Sequence, residues 1–306
     1  MAIRFDNRVV IVTGSGNGLG KSHALEFARR GARVVVNDLG AARDGSGASS
    51  EAADAVVRQI LAEGGEAISN GANVSDVAQV EAMVAGAVER WGRVDVLVNN
   101  AGILRDKTFA KMDLKDFQLV MDVHLTGSVN CTKAVWELMR EQQYGRIVMT
   151  SSSSGIYGNF GQTNYGAAKM ALVGFMNSLA LEGSKYGIKV NALAPIAATR
   201  MTSDVMTEEV LALLEPEAVT PAVIFLSGED APTRQIVAAG AGVFARVVIQ
   251  ETSGVFLRTD RRDAEHVATA WEQICDTSGQ RELQAGGEQT VRFLQKAAAE
   301  LGISLS

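Results

Sequence analysis

Val9-Val10-Ile11-Val12-Thr13-Gly14-Ser15-Gly16-Asn17-Gly18-Leu19-Gly20 opens the chain's first regular pattern. The β-branched run reads as a buried strand and the glycines as a tight turn. The following residues, 19–30, carry apolar side chains at three- and four-residue spacing, as a helix does. A strand that passes through a Gly-rich turn into a helix gathers backbone N–H groups and the helix's partial positive charge at one point, which suits a pyrophosphate. Gly14, Ser15, Gly18, Leu19 and Gly20 are therefore candidate phosphate-contacting positions. A Gly-rich turn alone reads equally as a flexible loop. The next strand, Val34-Val35-Val36, adds weight because it ends in Asn37-Asp38. Asp38 stands 18 residues past Gly20, where a carboxylate can accept both hydrogen bonds from an adenosine ribose. That selects NAD: a 2′-phosphate would meet a like charge, and neither Ser15 nor Asn17 supplies a basic partner.

The same alternation continues outward. Strand-like runs fall at 66–69, 94–98, 147–149, 190–193 and 235–239, and helical spacing at 50–62, 76–91, 113–140 and 165–185. This predicts an α/β fold, a Rossmann-like doubly wound parallel sheet of seven strands with helices on both faces. After Gly242 the pattern changes to an expected hairpin, Val247-Val248-Ile249 and Val255-Phe256-Leu257 around Thr252-Ser253-Gly254, followed by helices over 263–275 and 288–301. The expected division is a core of residues 1–242 that carries the catalytic site and an extension of residues 243–306. The extension is too short for a substantial core of its own and is expected to pack on the core or on a neighbouring subunit.

Composition narrows the function classes. The 306 residues include 29 Lys and Arg against 35 Asp and Glu, a net charge of −6, with 47% apolar residues. An acidic chain without a basic run offers nothing to a nucleic acid. No apolar stretch approaches the 18 or so residues of a membrane span, and residues 1–6 lack a signal peptide's apolar core, so a cytoplasmic location is expected. The terminal Ile303-Ser304-Leu305-Ser306 is not the Ser-Lys-Leu peroxisomal address, which fits that expectation. Cys131 and Cys275 are far apart, and three His without a metal-ligand spacing predict neither a disulfide framework nor a metal site.

Tyr165-Gly166-Ala167-Ala168-Lys169 places a phenol and an amine one helical turn apart. A free Tyr, with a pKa of roughly 10, is a poor base at neutral pH. A nearby ammonium stabilises the phenolate, each tenfold change in the ionisation equilibrium corresponding to about 1.4 kcal/mol, and an oxidised nicotinamide would add a second positive charge. By itself the pair reads as an ordinary surface couple. However, Ser152 lies thirteen residues upstream, in Thr150-Ser151-Ser152-Ser153-Ser154, just past the strand at 147–149. A hydroxyl there sits at a strand's carboxyl end, where ligands bind in open α/β sheets. Ser151, Ser153 and Ser154 are the competing hydroxyls.

Together, Thr13-Gly14-x-x-x-Gly18-x-Gly20, Asn99-Asn100-Ala101-Gly102, Ser152 and Tyr165-x-x-x-Lys169 resemble the short-chain dehydrogenase/reductase family in order and spacing. The flanking words Val36-Asn37-Asp38-Leu39-Gly40, Ile103-Leu104-Arg105-Asp106, Asp122-Val123-His124-Leu125, Arg200-Met201-Thr202 and Ala270-Trp271-Glu272-Gln273 are similar to its (3R)-hydroxyacyl-CoA dehydrogenase branch. That likeness runs over nearly the whole chain. It implies that Tyr165 is the acid/base, that Lys169 holds the ribose and lowers the Tyr pKa, and that Ser152 orients the substrate oxygen. It further implies that Asn73 and Val74 flank the adenine, that Asn99, Asn100, Ala101 and Gly102 line the cofactor cleft, and that Pro195, Ile196 and Thr199 meet the nicotinamide amide. Two positions depart from the family pattern. His124 replaces the Asn that usually completes a proton relay, so it either holds a relay water or is a buried structural His. Pro195-Ile196 replaces the usual Pro-Gly.

The activity so implied is NAD-dependent oxidation of a secondary alcohol, (3R)-3-hydroxyacyl-CoA to 3-oxoacyl-CoA, in fatty-acid or sterol side-chain β-oxidation. Two alternatives stand beside it: a 17β-hydroxysteroid or general alcohol dehydrogenase that does not require CoA, and a nucleotide-binding scaffold without catalysis. Ile156, Tyr157, Phe160 and the Met-rich stretch 201–206 could line the substrate site or simply pack helices. The resemblance also implies a homodimer or homotetramer in which the 113–140 and 165–185 helices pair across a two-fold axis. A separate enoyl-CoA hydratase is a candidate partner.

Overall fold

The computed structural model describes residues 2–42, 44–47, 49–196 and 207–305. Two units are distinguished, Met1–Arg246 and Val247–Ser306. In the first, the strands are β1 (Val9–Thr13), β2 (Arg33–Asn37), β3 (Glu66–Asn70), β4 (Val96–Asn99), β5 (Gly145–Thr150), β6 (Ile188–Pro195), β7 (Ile236–Gly240) and β8 (Val243–Val247). They form one eight-stranded sheet in the order β3-β2-β1-β4-β5-β6-β7-β8. The pairings from β3 through to β7 are all parallel. The order reverses between β1 and β4, so their carboxyl ends open a crevice of the kind that binds ligands in doubly wound sheets.

Both faces of the sheet are dry, which explains why the strands read as continuous apolar runs rather than as alternating ones. Val10, Val12, Val34, Val36, Val96 and Val98 pack with Ala24 and Phe27 of α1 (Gly18–Arg29), Val56 and Ile60 of α2 (Glu51–Ala62) and Val223. The intervening Ile11, Val35, Leu97 and Ile147 are just as inaccessible. Over that second face lie α5 (Gly127–Gln142) and α7 (Thr163–Gly183), with α3 (Val77–Trp91) beside α5. Local signals set the ends of these helices. The Asp76 carboxylate accepts the Gln79 N–H at 3.2 Å to start α3, and Gly92, at φ 77°, closes it.

Three expectations need correction. The helix expected over 113–140 is α4 (Leu114–Met121) and α5 joined by a π turn, Asp122–Thr126. A π turn takes one more residue than an α turn, and five residues are too few for apolar periodicity to reveal it. The sheet has an eighth strand at Val243–Val247, where the chain turns back at once through Ala241 and Gly242, both at positive φ. The hairpin expected at 247–257 is absent, because residues 252–258 have no regular structure and Glu251 pairs with Arg281 instead. The second unit contains α10 (Ala264–Thr269), α11 (Trp271–Ile274) and α12 (Gly286–Leu301), so the helix expected over 263–275 is two short ones. Within that unit, Arg292 reaches the carbonyl and carboxylate of Glu251.

Candidate functional site

The Gly-rich turn is braced from two sides. Thr13 accepts the backbone N–H groups of Asn100 and Ala101 on its hydroxyl at 3.0 and 3.1 Å, and the Asn100 side-chain amide donates to the carbonyls of Thr13 and Gly14 at 2.9 Å. On the other flank, Asp38 accepts the Gly16 N–H and the Gly40 N–H at 2.7 Å, one on each carboxylate oxygen. Each oxygen keeps a further lone pair for a ligand hydroxyl. Contact here is close enough that a Cβ on Gly20 would come within 2.2 Å of the Gly14 carbonyl, so residue 20 can only be Gly. Asn17 makes no side-chain cap on α1, which leaves first-turn N–H groups of Gly18, Leu19 and Gly20 available to an anion. Ser15 differs from its expected role. Its hydroxyl donates to the Val12 carbonyl at 2.7 Å and its N–H to Asn37, so it fastens β1 to β2.

At the carboxyl ends of β4 and β5 the other named residues converge. The Lys169 side chain is 3% exposed, and its ammonium donates to the Thr150 carbonyl at 2.6 Å. Burial pulls its pKa from 10.5 down to about 7. Tyr165 lies one turn earlier on α7, with Lys169 Nζ 5.4 Å from its ring centroid. Ser152 is buried and caps the short helix α6 (Ser153–Tyr157) by accepting the Ser154 N–H at 3.2 Å. Its three competitors are distinguished by their partners. Ser151 donates to the Lys169 carbonyl, Ser154 donates to Gln162, and Ser153 is exposed.

The π turn sends His124 inward, where its ring meets Tyr165 edge-on at 5.2 Å and an 89° interplanar angle. His124 Nε2 lies 2.8 Å from the Ile103 carbonyl, and its Nδ1 is buried without a partner. Burial first, then the nearby Lys169 charge, hold its pKa down to about 3, so the ring is neutral. A Cβ on Gly102 would come within 2.3 Å of this ring, so the Gly permits the inward His.

Further out, Val74 is buried, its carbonyl accepting the Asn130 amide at 2.9 Å, and the Asn73 side chain caps Ser75. Pro195 ends β6, and the exposed Ile196 donates its N–H to Ala239. Tyr157 and Phe160 are among the most exposed aromatic residues, at 73% and 87%. Thr199 and the 201–206 stretch lie outside the described residues. Residues that the motifs did not single out also take part. Thr132 holds the Asn99 amide at 3.1 Å, and Asn164 ties the Tyr165 N–H to the Arg105 carbonyl. Their only sequence signal was polarity at buried helix positions.

The donor set suits a dinucleotide. First-turn N–H groups face one end of the crevice, Asp38 stands beside them, and the buried Asn99 Oδ1 and Thr150 Oγ1 on adjoining strands have no partner among the described residues. Buried polar atoms left so are costly unless a ligand or water satisfies them. No group of three or more His, Cys, Asp or Glu among the described residues is arranged to hold a metal ion, and no helix there is long and apolar enough to cross a membrane.

This sheet and crevice define a nucleotide-dependent oxidoreductase. Residues 8–210 match the short chain dehydrogenase family, and the chain belongs to that family. It is 46% identical over 308 residues to mouse peroxisomal multifunctional enzyme type 2, an alignment covering 99% of this chain and 41% of that one. Full-length peroxisomal multifunctional enzyme type 2 from Drosophila melanogaster superposes with a TM-score of 0.81 at 37% identity, over 97% of this chain and 50% of that one. The chain thus spans about half the length of these relatives. A 7α-hydroxysteroid dehydrogenase in complex with NADH and 7-oxo glycochenodeoxycholic acid gives 0.69 at 28% identity, covering 78% of this chain and 95% of its own.

Proposed function

We propose that the protein is an NAD-dependent dehydrogenase that oxidises (3R)-3-hydroxyacyl-CoA to 3-oxoacyl-CoA. The observation that carries this reading is the buried Lys169 ammonium, held on the Thr150 carbonyl beneath Tyr165 and next to Ser152 at the crevice mouth. A charge kept at such desolvation cost, with one protein acceptor in a dry site, fits electrostatic work on a neighbouring phenol. Bound NAD would accept a hydride from the carbinol carbon. In this reading Tyr165 takes the hydroxyl proton, the Ser152 hydroxyl holds the substrate oxygen, and Lys169 favours the phenolate and binds the ribose. Acid/base assistance of this kind is worth about 10²–10⁴-fold, with positioning supplying more. Gly14, Gly18, Leu19 and Gly20 would carry the pyrophosphate, Asp38 the adenosine ribose, Asn73 and Val74 the adenine, and 99–102 the cleft wall. Pro195 and Ile196 would stand at the nicotinamide end. Ser15 supports the strand beneath the turn rather than the ligand.

The CoA ester follows from the likeness to the multifunctional enzymes. The likeness to a hydroxysteroid dehydrogenase keeps a free-steroid substrate as the second reading. The test is the initial rate of NADH formation with (3R)- and (3S)-hydroxyacyl-CoA and a free 17β-hydroxysteroid, each with NAD and NADP, for the protein and Tyr165→Phe. Turnover confined to the (3R) thioester with NAD, and lost in the variant, is expected; activity on the free steroid alone would overturn the thioester assignment. Exposed Met170 and Leu181 on α7 support pairing of two copies through that helix, to be checked by sedimentation. The free thiols of Cys131 and Cys275 suit a reducing compartment, the cytoplasm in our reading. A separate enoyl-CoA hydratase would supply the substrate.

A further inference from the structure

Between β4 and the turn before Tyr165 the chain forms a clasp that belongs to neither the Gly-rich turn nor the Tyr165–Lys169 pair. Three bonds join residues 105–107 to residues 161–164: Lys107 N–H to the Gly161 carbonyl at 2.9 Å, the Asn164 amide to the Arg105 carbonyl at 3.0 Å, and the Gln162 amide to the Asp106 carboxylate at 2.8 Å. The Gln162 carbonyl oxygen accepts from the Ser154 hydroxyl at 2.8 Å and from the Asn159 amide at 3.0 Å. Ser154 in turn gives its backbone N–H to Ser152 Oγ at 3.2 Å. Asn164 also accepts the Tyr165 N–H at 2.8 Å. A continuous path of hydrogen bonds therefore runs from Asp106 through Gln162 and Ser154 to the Ser152 hydroxyl, while Asn164 binds the same segment to the start of Tyr165's helix.

The path has a direction. The acceptor-only Asp106 obliges residue 162 to donate toward it, and this turns the Gln162 carbonyl toward Ser154 and Asn159. An amide is the neutral side chain that can donate at one end and accept twice at the other. We propose that Gln162, polarised by Asp106, is a positioning residue that fixes the rotamer of Ser154 and, through it, where Ser152 Oγ sits relative to Tyr165. Ser152 and Tyr165 must address one substrate oxygen, and a misplacement of about 1 Å can cost on the order of 10²-fold in rate. The inference rests on the proposed roles of Ser152 and Tyr165 for its kinetic consequence, whereas the clasp can be tested without them.

The test is a donor–acceptor swap. Gln162→Glu sets two carboxylates against each other, and Asp106→Asn removes the acceptor that orients Gln162. The double variant Asp106→Asn/Gln162→Glu restores the bond with its direction reversed. The amide introduced at position 106 would donate to the carboxylate introduced at position 162, which still accepts from Ser154 and Asn159 at the same net charge. With (3R)-hydroxyacyl-CoA and NAD, each single variant is expected to lose about 10- to 100-fold in kcat with KM for NAD within about threefold, and the double variant to recover to within about fivefold of the parent. Amide hydrogen exchange of peptides covering 152–165, read by mass spectrometry, should rise in each single variant and return in the swap. A double variant no better than the worse single one in both readouts would overturn the clasp, as would singles that change neither. If the parent shows no turnover with the thioester, the proposed function fails and the exchange measurement alone decides the clasp.

Discussion

At the residue scale, the buried charge on Lys169 is a cost that the fold carries for its site. Its folded pKa, about 7, lies below the ordinary 10.5, so the unfolded chain binds more protons between those values and stability rises with pH across that window. Below pH 7 the whole cost is present. Lys169→Met should therefore abolish turnover yet resist urea better than the parent at pH 7. We expect a gain on the order of 2 kcal/mol once the lost bond to Thr150 is allowed for, shrinking toward pH 10. Asp38 has two duties, toward the Gly-rich turn and toward a ribose. Asp38→Ser should lower kcat/KM with NAD by at least about tenfold and raise that with NADP, measured as a ratio of initial rates. The identity of Tyr165, Lys169, Ser152 and Asp38 as candidates was legible because their chemistry depends on spacing along one helix or on position at a strand's end. The environment of Lys169 was not legible, since burial comes from α6, β5 and α7 folding around it. Ser15 departs from expectation for a related reason: the turn sequence does not show which way a small hydroxyl points.

Among the elements, the strands were readable to within a residue or two at most ends because β-branched runs buried on both faces have no competing interpretation. The Glu251–Arg281 bridge shows why the extension resisted reading. Its pairing joins residues thirty apart, whereas a hairpin argument sees only neighbours. The π turn was hidden for a different reason, its apolar spacing being within one residue of an α-helix. Capping makes a clean test at this scale. Asp113 accepts the Lys115 N–H at 2.8 Å at the start of α4, so Asp113→Ala should lower unfolding free energy by about 1 kcal/mol in urea titration. Its effect on turnover should stay small unless the loss reaches the π turn.

For the molecule as a whole, two buried neutral imidazoles set an acid limit. His23, bonded to Thr220 at 2.8 Å between α1 and the helix Thr220–Ser227, and His124 are both held by burial to a pKa of about 3. Their folded values lie below the unfolded 6.5, so the stability they allow is complete above pH 6.5 and is lost as pH falls toward 3. At pH 5 the two together should remove about 4 kcal/mol relative to pH 7. Urea midpoints at pH 7, 6 and 5 check this, and His23→Asn should flatten the slope by about half if it folds.

The five residues Asp122–Thr126 also bear on how such a chain can change. A π turn is an α-helix holding one surplus residue, so deleting one residue there would leave every backbone hydrogen bond of the helix satisfiable. The loss would fall on phase: everything after it would rotate by about 100°. Cys131, Val135 and Met139, now inaccessible, would leave the sheet together, and His124 would leave Tyr165. Length in this helix is therefore under tighter constraint than composition, and lineages of this chain should tolerate substitution at 122–126 far more readily than the gain or loss of a single codon.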